Sequence, residues 1–183
     1  MTKRPFLAAL AIGTALTASA CGKQDGAAGT KAAQQAAGDQ TIEAGLGDAT
    51  KFEAAAKAAG LDGTFAGPGP YTVLVPTNAA FDKLPAGTLD KLMQKESRPE
   101  LTGVLTYHVL PGAILTEDIG KAIDLGKGKA TLPTMGGGTL TATKDGNNIV
   151  LTDGSGTAAH ITEADVKRSN GVIQRVDAVL KPS

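Results

Sequence analysis

Aromatic residues and cysteine are scarce in this 183-residue chain, which has no tryptophan, two tyrosines, four phenylalanines and a single cysteine. One cysteine excludes disulfide bonds within the monomer, so an apolar core has to stabilise the fold. The only histidines are His108 and His160, and neither belongs to an H-E-x-x-H or Cys/His pattern that would bind zinc. We therefore expect neither a metal site nor a cofactor.

The chain has no excess of basic residues, since 18 lysines and arginines face 18 aspartates and glutamates. Without Lys3 and Arg4, 16 basic residues remain against the 18 acidic ones, a net charge of about −2. Nucleic-acid binding needs a concentrated basic surface, so we do not expect a nucleic-acid partner. Beyond the N-terminus no apolar run approaches the roughly 20 residues of a membrane helix, so a membrane contact would have to come from a lipid.

The first 20 residues have the layout of a secretory signal peptide. Lys3 and Arg4 give a short positive region, and an uncharged run of Ala, Leu and Ile follows over residues 6–16. The small residues Ala18-Ser19-Ala20 then precede Cys21. The apolar run is too short for a stable membrane span, and no polar face accompanies it as would suit a buried helix.

Cys21 leaves two interpretations of the cleavage site open. Ala-x-Ala before residue 21 suits ordinary signal peptidase and a soluble product, whereas Ala-Ser-Ala-Cys resembles a bacterial lipobox whose cysteine is lipidated. The common lipobox has leucine where this chain has Ala18. Lipidation is favoured because the only cysteine occupies the one position that requires it. Gly22 resembles the residue that directs lipoproteins to the outer membrane, so we expect an exported, lipid-anchored protein, or otherwise a periplasmic or secreted one.

Residues 21–38 differ in composition from the rest of the chain. They consist mainly of Gly, Ala, Gln and Lys and include no large apolar residue, which predicts a flexible tether. A short Ala-rich helix over residues 31–37 is the alternative. Residues 39–183 are then predicted to form one domain.

Within this domain, helical patterns precede strand patterns. Apolar residues recur at helical spacing through residues 52–59, and Ser97-Arg98-Pro99-Glu100 is typical of a capping box that opens another helix. Thr77 or Asn78 and Thr116 are expected to cap two further helices. Period-two alternation predominates after residue 128, with a hairpin loop expected at residues 145–148. This order predicts an α+β fold.

Three blocks in this domain resemble the fasciclin domain family. They read Y-T-V-L-V-P-T-N-A-A-F at Tyr71–Phe81, L-T-Y-H-V-L-P-G at Leu105–Gly112 and S-N-G-V-I-Q-R-V-D-A-V-L at Ser169–Leu180. The resemblance covers about residues 40 to 181 and implies a wedge of β-strands flanked by several short α-helices. Gln174 stands where the family often has histidine, so a role that depends on an imidazole is not expected there.

The resemblance also implies binding residues. Tyr107-His108 is similar to the Tyr-His motif that vertebrate matrix members use in integrin-dependent adhesion, and residues 163–167 are similar to their Glu-Pro-Asp-Ile-Met stretch. The candidate binding residues are therefore Tyr107, His108, Glu163, Asp165, Val166 and Asn170. The alternative is structural, with Tyr107 and His108 half-buried and Asp165 accepting hydrogen bonds in a turn or cap.

Catalytic patterns are absent from the sequence. Ser155 lies in Asp-Gly-Ser-Gly-Thr, which is not a Gly-x-Ser-x-Gly elbow, and the Asp-Gly turns at residues 145 and 153 lack the spacing of calcium loops. We therefore expect a non-catalytic binding or adhesion module of the cell envelope that recognises a protein or a surface glycan. The alternative is a periplasmic hydrolase or small-molecule carrier with a pocket near His108.

Overall fold

The computed structural model describes residues 38–182. The predicted signal peptide, Cys21 and the tether up to residue 37 lie outside the described residues. None of the helices within residues 38–182 has the length and apolar character needed to cross a bilayer.

Short helices dominate the first half of the domain. The α-helices described are α1 (Thr50–Ala59), α2 (Asp62–Ala66), α3 (Asn78–Asp82), α4 (Thr88–Leu92), α5 (Arg98–Tyr107) and α6 (Thr116–Leu125). Two 3₁₀ turns, Glu43–Gly45 and Lys95–Ser97, accompany them.

The second half of the domain forms five strands of a seven-stranded sheet, and the first half contributes the other two. Its strands are β1 (Tyr71–Pro76), β2 (Val109–Pro111), β3 (Lys129–Pro133), β4 (Thr139–Asp145), β5 (Asn148–Thr152), β6 (Ala158–Arg168) and β7 (Gly171–Val176). Their order is β2-β1-β7-β6-β5-β4-β3, and the β1–β7 pair is parallel whereas the other pairs are antiparallel. The architecture is α+β, as the sequence predicts.

β1 lies at the centre of the fold and is buried on both faces. Val73 and Val75 pack into one apolar cluster with Phe52 of α1, while Leu74 points to a second cluster with Ile119 of α6. A strand covered on both sides reads as a continuous apolar run, which is why Y-T-V-L-V-P predicts a buried strand.

The sheet curls until its two ends meet. The chain that follows β3 returns to β2, where the Met135 N–H donates to the Val109 carbonyl at 2.8 Å and the Gly136 N–H donates to the Thr106 carbonyl at 3.0 Å. The segment after β3 is therefore linked by main-chain hydrogen bonds to β2 and to the end of α5.

The helix ends confirm some of the predicted caps. Gly60 ends α1 in the left-handed conformation with φ of 75°, which glycine adopts without the steric cost of a Cβ. The Thr77 side chain accepts a hydrogen bond from the Ala80 N–H and caps α3. Asn78 instead accepts from the Lys51 N–H at 3.0 Å and so satisfies a donor in the first turn of α1.

Two predicted caps are wrong. The Ser97 side chain makes no cap hydrogen bond at the start of α5, where Pro99 already removes one of the N–H groups that need an acceptor. Thr116 is the first residue of α6 and not its cap, and its hydroxyl donates to Asp165 on β6.

The predicted strand region after residue 128 and its predicted hairpin are both present. β4 ends at Asp145 and β5 begins at Asn148, so the predicted loop is a two-residue turn, Gly146-Asn147. β6 extends to Arg168, and β7 ends at Val176. After β7 the chain passes His108 and Asp153, which accept the N–H groups of Leu180 and Lys181.

Candidate functional site

His108 lies in the core and uses both ring nitrogens. The residue directly follows α5 and is 1% exposed, and its ring packs edge-on against Phe52. Nδ1 lies 2.8 Å from the Val104 carbonyl, and Nε2 accepts the Leu180 N–H at 3.1 Å. Because the backbone N–H can only donate, Nε2 is unprotonated and the proton is on Nδ1. Burial lowers the pKa of His108 to about 4, so the ring is neutral at physiological pH.

Asp153 binds the residue that follows Leu180. Its Oδ2 accepts the Lys181 N–H at 2.9 Å, while Oδ1 accepts the N–H groups of Ser155 and Thr157 and the Ser155 hydroxyl. Burial alone would raise the pKa of Asp153, but these hydrogen bonds outweigh it and lower the pKa below its usual value. His108 and Asp153 thus hold residues 180–181 by adjacent backbone N–H groups.

Tyr107 is also buried, at 2% exposure, and its hydroxyl donates to the Thr139 carbonyl at 2.8 Å. The loop 136–138 packs directly on it. A Cβ added at Gly138 would lie 2.4 Å from Cε2 of the Tyr107 ring. The three consecutive glycines therefore permit a close approach of the loop to this ring, and the Gly136 and Gly137 N–H groups are bonded to the Thr106 and Thr134 carbonyls.

Asp165 links β6 to the start of α6. It lies in an irregular part of β6 with φ of 59°. Its carboxylate accepts the Thr116 N–H at 2.8 Å, the Thr116 hydroxyl at 2.6 Å and a Gln174 amide hydrogen at 2.7 Å. The Gln174 carbonyl accepts the Asp165 N–H at 2.8 Å. The negatively charged Asp165 side chain, which lies on β6, thus caps the N-terminus of α6.

Asn170 is buried and joins separate segments. Its carbonyl oxygen accepts the Ile42 N–H, and its amide donates to the Phe65 and Gly67 carbonyls at 2.8 and 2.7 Å. Val166 is half-buried and packs against the apolar cluster around Phe52. Glu163 is exposed, and its carboxylate lies 3.4 Å from Nε of Arg175.

These positions correct the expectation of a recognition surface built from all six residues. Tyr107, His108 and Asn170 belong to the core because each satisfies backbone groups from distant segments. Asp165 acts as the cap acceptor that the structural alternative describes. Glu163 alone presents an exposed side chain. The second histidine, His160, is partly exposed and lies 3.3 Å from the Asp177 carboxylate through Nδ1.

An open cleft lies away from His108. It has a volume of about 610 Å³ and opens between β5, β6 and the start of α6. Its walls include Lys144 and Ile149 on one side, Ile161 and Ala164 on another, and Glu117 on the helix. A smaller cleft of about 350 Å³ is lined by Tyr107, the glycines 136–138 and Pro182. Neither is lined by His108.

The described part of the chain has no group of side chains arranged as a metal site or as a catalytic nucleophile with its base. Within residues 38–182 no group of three His, Cys, Asp or Glu side chains is placed to hold a metal ion. The Ser155 hydroxyl donates to Asp153 at 2.7 Å and is part of that turn. The Asp153-Gly154 motif is therefore an Asx-type turn.

Fold and site together define a class of protein, an α+β domain whose buried polar side chains fix the backbone and whose open cleft lies at the sheet. The chain belongs to the fasciclin domain family, whose sequence profile matches residues 47–182.

Several relatives share this domain. The chain is 37% identical over 144 residues to Protein sll1483 of Synechocystis, covering 77% of this chain and 72% of that protein. It is 35% identical over 114 residues to the immunogenic protein MPB70 of Mycobacterium bovis, covering 62% of this chain and 51% of that protein. The cell surface glycolipoprotein MPB83 of the same species is 34% identical over 114 residues, covering 62% of this chain and 44% of that protein. The chain thus spans about half the length of the two mycobacterial relatives.

The fold matches a solved structure of the FAS1 domain pair from the insect cell adhesion molecule Fasciclin I. The TM-score is 0.54 at 22% identity, and the match covers 74% of this chain and 46% of that one. At this identity the likeness concerns the fold.

Proposed function

We propose that this protein is a non-catalytic recognition module of the cell envelope that binds a protein or a surface glycan. The family assignment supports this role, because one relative is named a cell surface glycolipoprotein and the structural neighbour comes from a cell adhesion molecule. The N-terminal sequence supports export, since a signal peptide pattern ends at Cys21.

The observation that carries the proposal is the position of His108. A general base has to reach solvent or substrate, and the His108 ring is buried with both nitrogens bonded to backbone groups. The hydrolase or carrier with a pocket near His108 therefore gains no support from this geometry. The open cleft lies elsewhere.

Direct binding to the envelope tests this function. Labelled full-length protein is incubated with isolated envelopes that are untreated, protease-treated or periodate-treated. Saturable binding lost after protease identifies a protein partner, and loss after periodate identifies a glycan. A hydrolase screen is the opposing test. Activity abolished by His108→Ala in a variant that keeps its melting temperature would contradict the proposal.

Lipid anchoring at Cys21 is a separate prediction. The thiol would carry the diacylglycerol and become the N-terminus of the mature protein. Cys21→Ser should release the protein from membrane fractions and abolish incorporation of radiolabelled fatty acid. Thr30→Ser, within the predicted tether, is a matched control that should stay anchored. Wild-type protein that is soluble and unlabelled would show simple secretion instead.

A further inference from the structure

The sheet divides between β5 and β6. These strands pair over three residues only, Val150 with His160, Leu151 with Ala159 and Thr152 with Ala158. Beyond that point β5 stays with β4, and β6 continues alongside β7 as far as Arg168. The two strands therefore diverge and leave a wedge-shaped opening.

The cleft of about 610 Å³ occupies this opening, and we call it the β5–β6 groove. Its volume is within the range of clefts that bind small ligands. Ile149, which is 8% exposed, and the half-buried Ile161 give it an apolar floor. Thr116, Glu117 and Gly120 of α6 close one end.

The β6 wall of the groove is a strand edge. Over residues 161–164 β6 pairs with β7 on one side, and among the described residues no strand pairs with its other side. Thr162, Glu163 and Ala164 are exposed there. A strand edge carries main-chain donors and acceptors in a repeat that another extended chain matches.

This edge is short and held in place. Register shifts flank Glu163, and the next residue but one is Asp165, which is bonded to Thr116 and Gln174. Such irregularities limit the length over which another strand can pair with an edge. About four residues remain available, a length of roughly 13 Å. This length accommodates a short peptide and disfavours continuous pairing between two copies of the domain.

The charges around the groove are already neutralised. Lys144 forms an ion pair with Asp124 at 2.6 Å, and Glu117 forms one with Lys121 at 2.5 Å. A groove without excess charge complements an uncharged main chain better than it complements an anionic sugar or phosphate.

We propose that the β5–β6 groove binds an extended peptide segment of a partner protein, which adds as a strand to the β6 edge at residues 161–164. An apolar side chain of this segment packs on Ile149 and Ile161, while its main chain pairs with β6. This inference rests on the proposed recognition function and selects a protein segment as the partner.

A peptide library tests the site with the full-length protein. Random twelve-residue peptides are displayed and selected on it, and synthetic copies are titrated by fluorescence anisotropy. Ala164→Trp fills the groove at an exposed position and should weaken binding at least tenfold. Ala158→Trp is the matched control, since Ala158 is also exposed and lies on β6 where β5 covers the edge. It should leave the affinity unchanged, and both variants should keep the wild-type melting temperature.

Methylation of single peptide amides distinguishes strand pairing from other modes. Because successive amides of a strand point to opposite sides, the affinity loss should alternate with a period of two along the peptide. Amide exchange at residues 161–164 should slow when the peptide is bound.

Three results of the peptide and solution experiments would overturn the inference. These are selection of no peptide, equal binding by the two tryptophan variants, or a dimer in solution that is broken by Ala164→Trp and so makes a second copy the occupant. Envelope binding that survives Ala164→Trp would retain the recognition function and reject this groove as its site. Loss of all envelope binding by the wild type would reject the function itself.

Discussion

At the residue scale, His108 is the group through which solution pH acts on the core. The folded state uses its neutral ring, because protonation of Nε2 would set a second donor against the Leu180 N–H. Burial lowers the pKa of His108 and outweighs the hydrogen bond to the Val104 carbonyl and the charge of Asp153, which both raise it.

Stability should therefore fall with acid in a defined window. The pKa of His108 is about 4 in the fold against 6.5 in the unfolded chain, so unfolding takes up a proton between these values. The His108 contribution is complete above pH 6.5 and is lost as the pH falls towards 4, by up to about 1.4 kcal/mol per pH unit. Urea unfolding of the wild type at several pH values measures this slope.

Two variants test whether His108 causes this dependence of stability on pH. His108→Gln should flatten it, because glutamine does not titrate. It should also lower stability at pH 7 by about 1–3 kcal/mol, because the amide cannot reproduce both ring hydrogen bonds and the packing on Phe52. His160→Gln should retain the pH dependence. The pKa values of Asp153 and Asp177 are lowered below 3.8, so their contributions are lost only at still lower pH. An unchanged slope in His108→Gln would show that another group titrates.

The glycine loop gives a second prediction at this scale. Gly138→Ala should destabilise the fold by about 1–3 kcal/mol, because the new methyl group would lie 2.4 Å from the Tyr107 ring. Gly63→Ala is the matched control. No atom lies within 4 Å of a Cβ at Gly63, which is in α2, and alanine there should be neutral or stabilising. Equal melting temperatures for both variants would contradict the close packing.

At the scale of elements, α6 depends on a strand for its first turn. Asp165→Ala removes the acceptor of two Thr116 donors and of Gln174, so we expect a loss of about 1–3 kcal/mol. Asp165→Asn should cost less, because an amide keeps one acceptor oxygen and asparagine tolerates positive φ. Chemical denaturation measures both. Equal losses would show that the charge, and not the hydrogen-bonding geometry, stabilises the helix.

The same elements show which features of the fold can be predicted from the sequence and which cannot. Local signals predict the α+β class, the hairpin at residues 145–148 and the helix through residues 52–59, because each depends on neighbours a few residues away. The roles of His108 and Asp165 depend on Leu180 and Thr116, which are 72 and 49 positions away. Periodicity carries no signal at such separations. Tyr107 and His108 are therefore buried where the sequence analysis placed a recognition surface, and the groove between β5 and β6 was not predicted.

At the scale of the molecule, residues 39–183 are predicted to unfold as one unit. Two apolar clusters lie on opposite sides of β1, and that shared strand couples them. Thermal unfolding of this segment should give coincident transitions by far-ultraviolet circular dichroism and by tyrosine absorbance. Two separate transitions, or failure to fold without residues 21–38, would contradict the prediction.

The parallel pairing of β1 with β7 also sets the order of events at the ribosome. Tyr71 pairs with Gly171 and Pro76 with Val176, so the parallel partner of β1 is synthesised about a hundred residues later. Until then its apolar side chains have only β2 and the helices to cover them. The domain therefore closes only once β7 has been synthesised. A nascent chain in this open state can be held by chaperones and threaded through an export channel, as the proposed destination in the cell envelope requires.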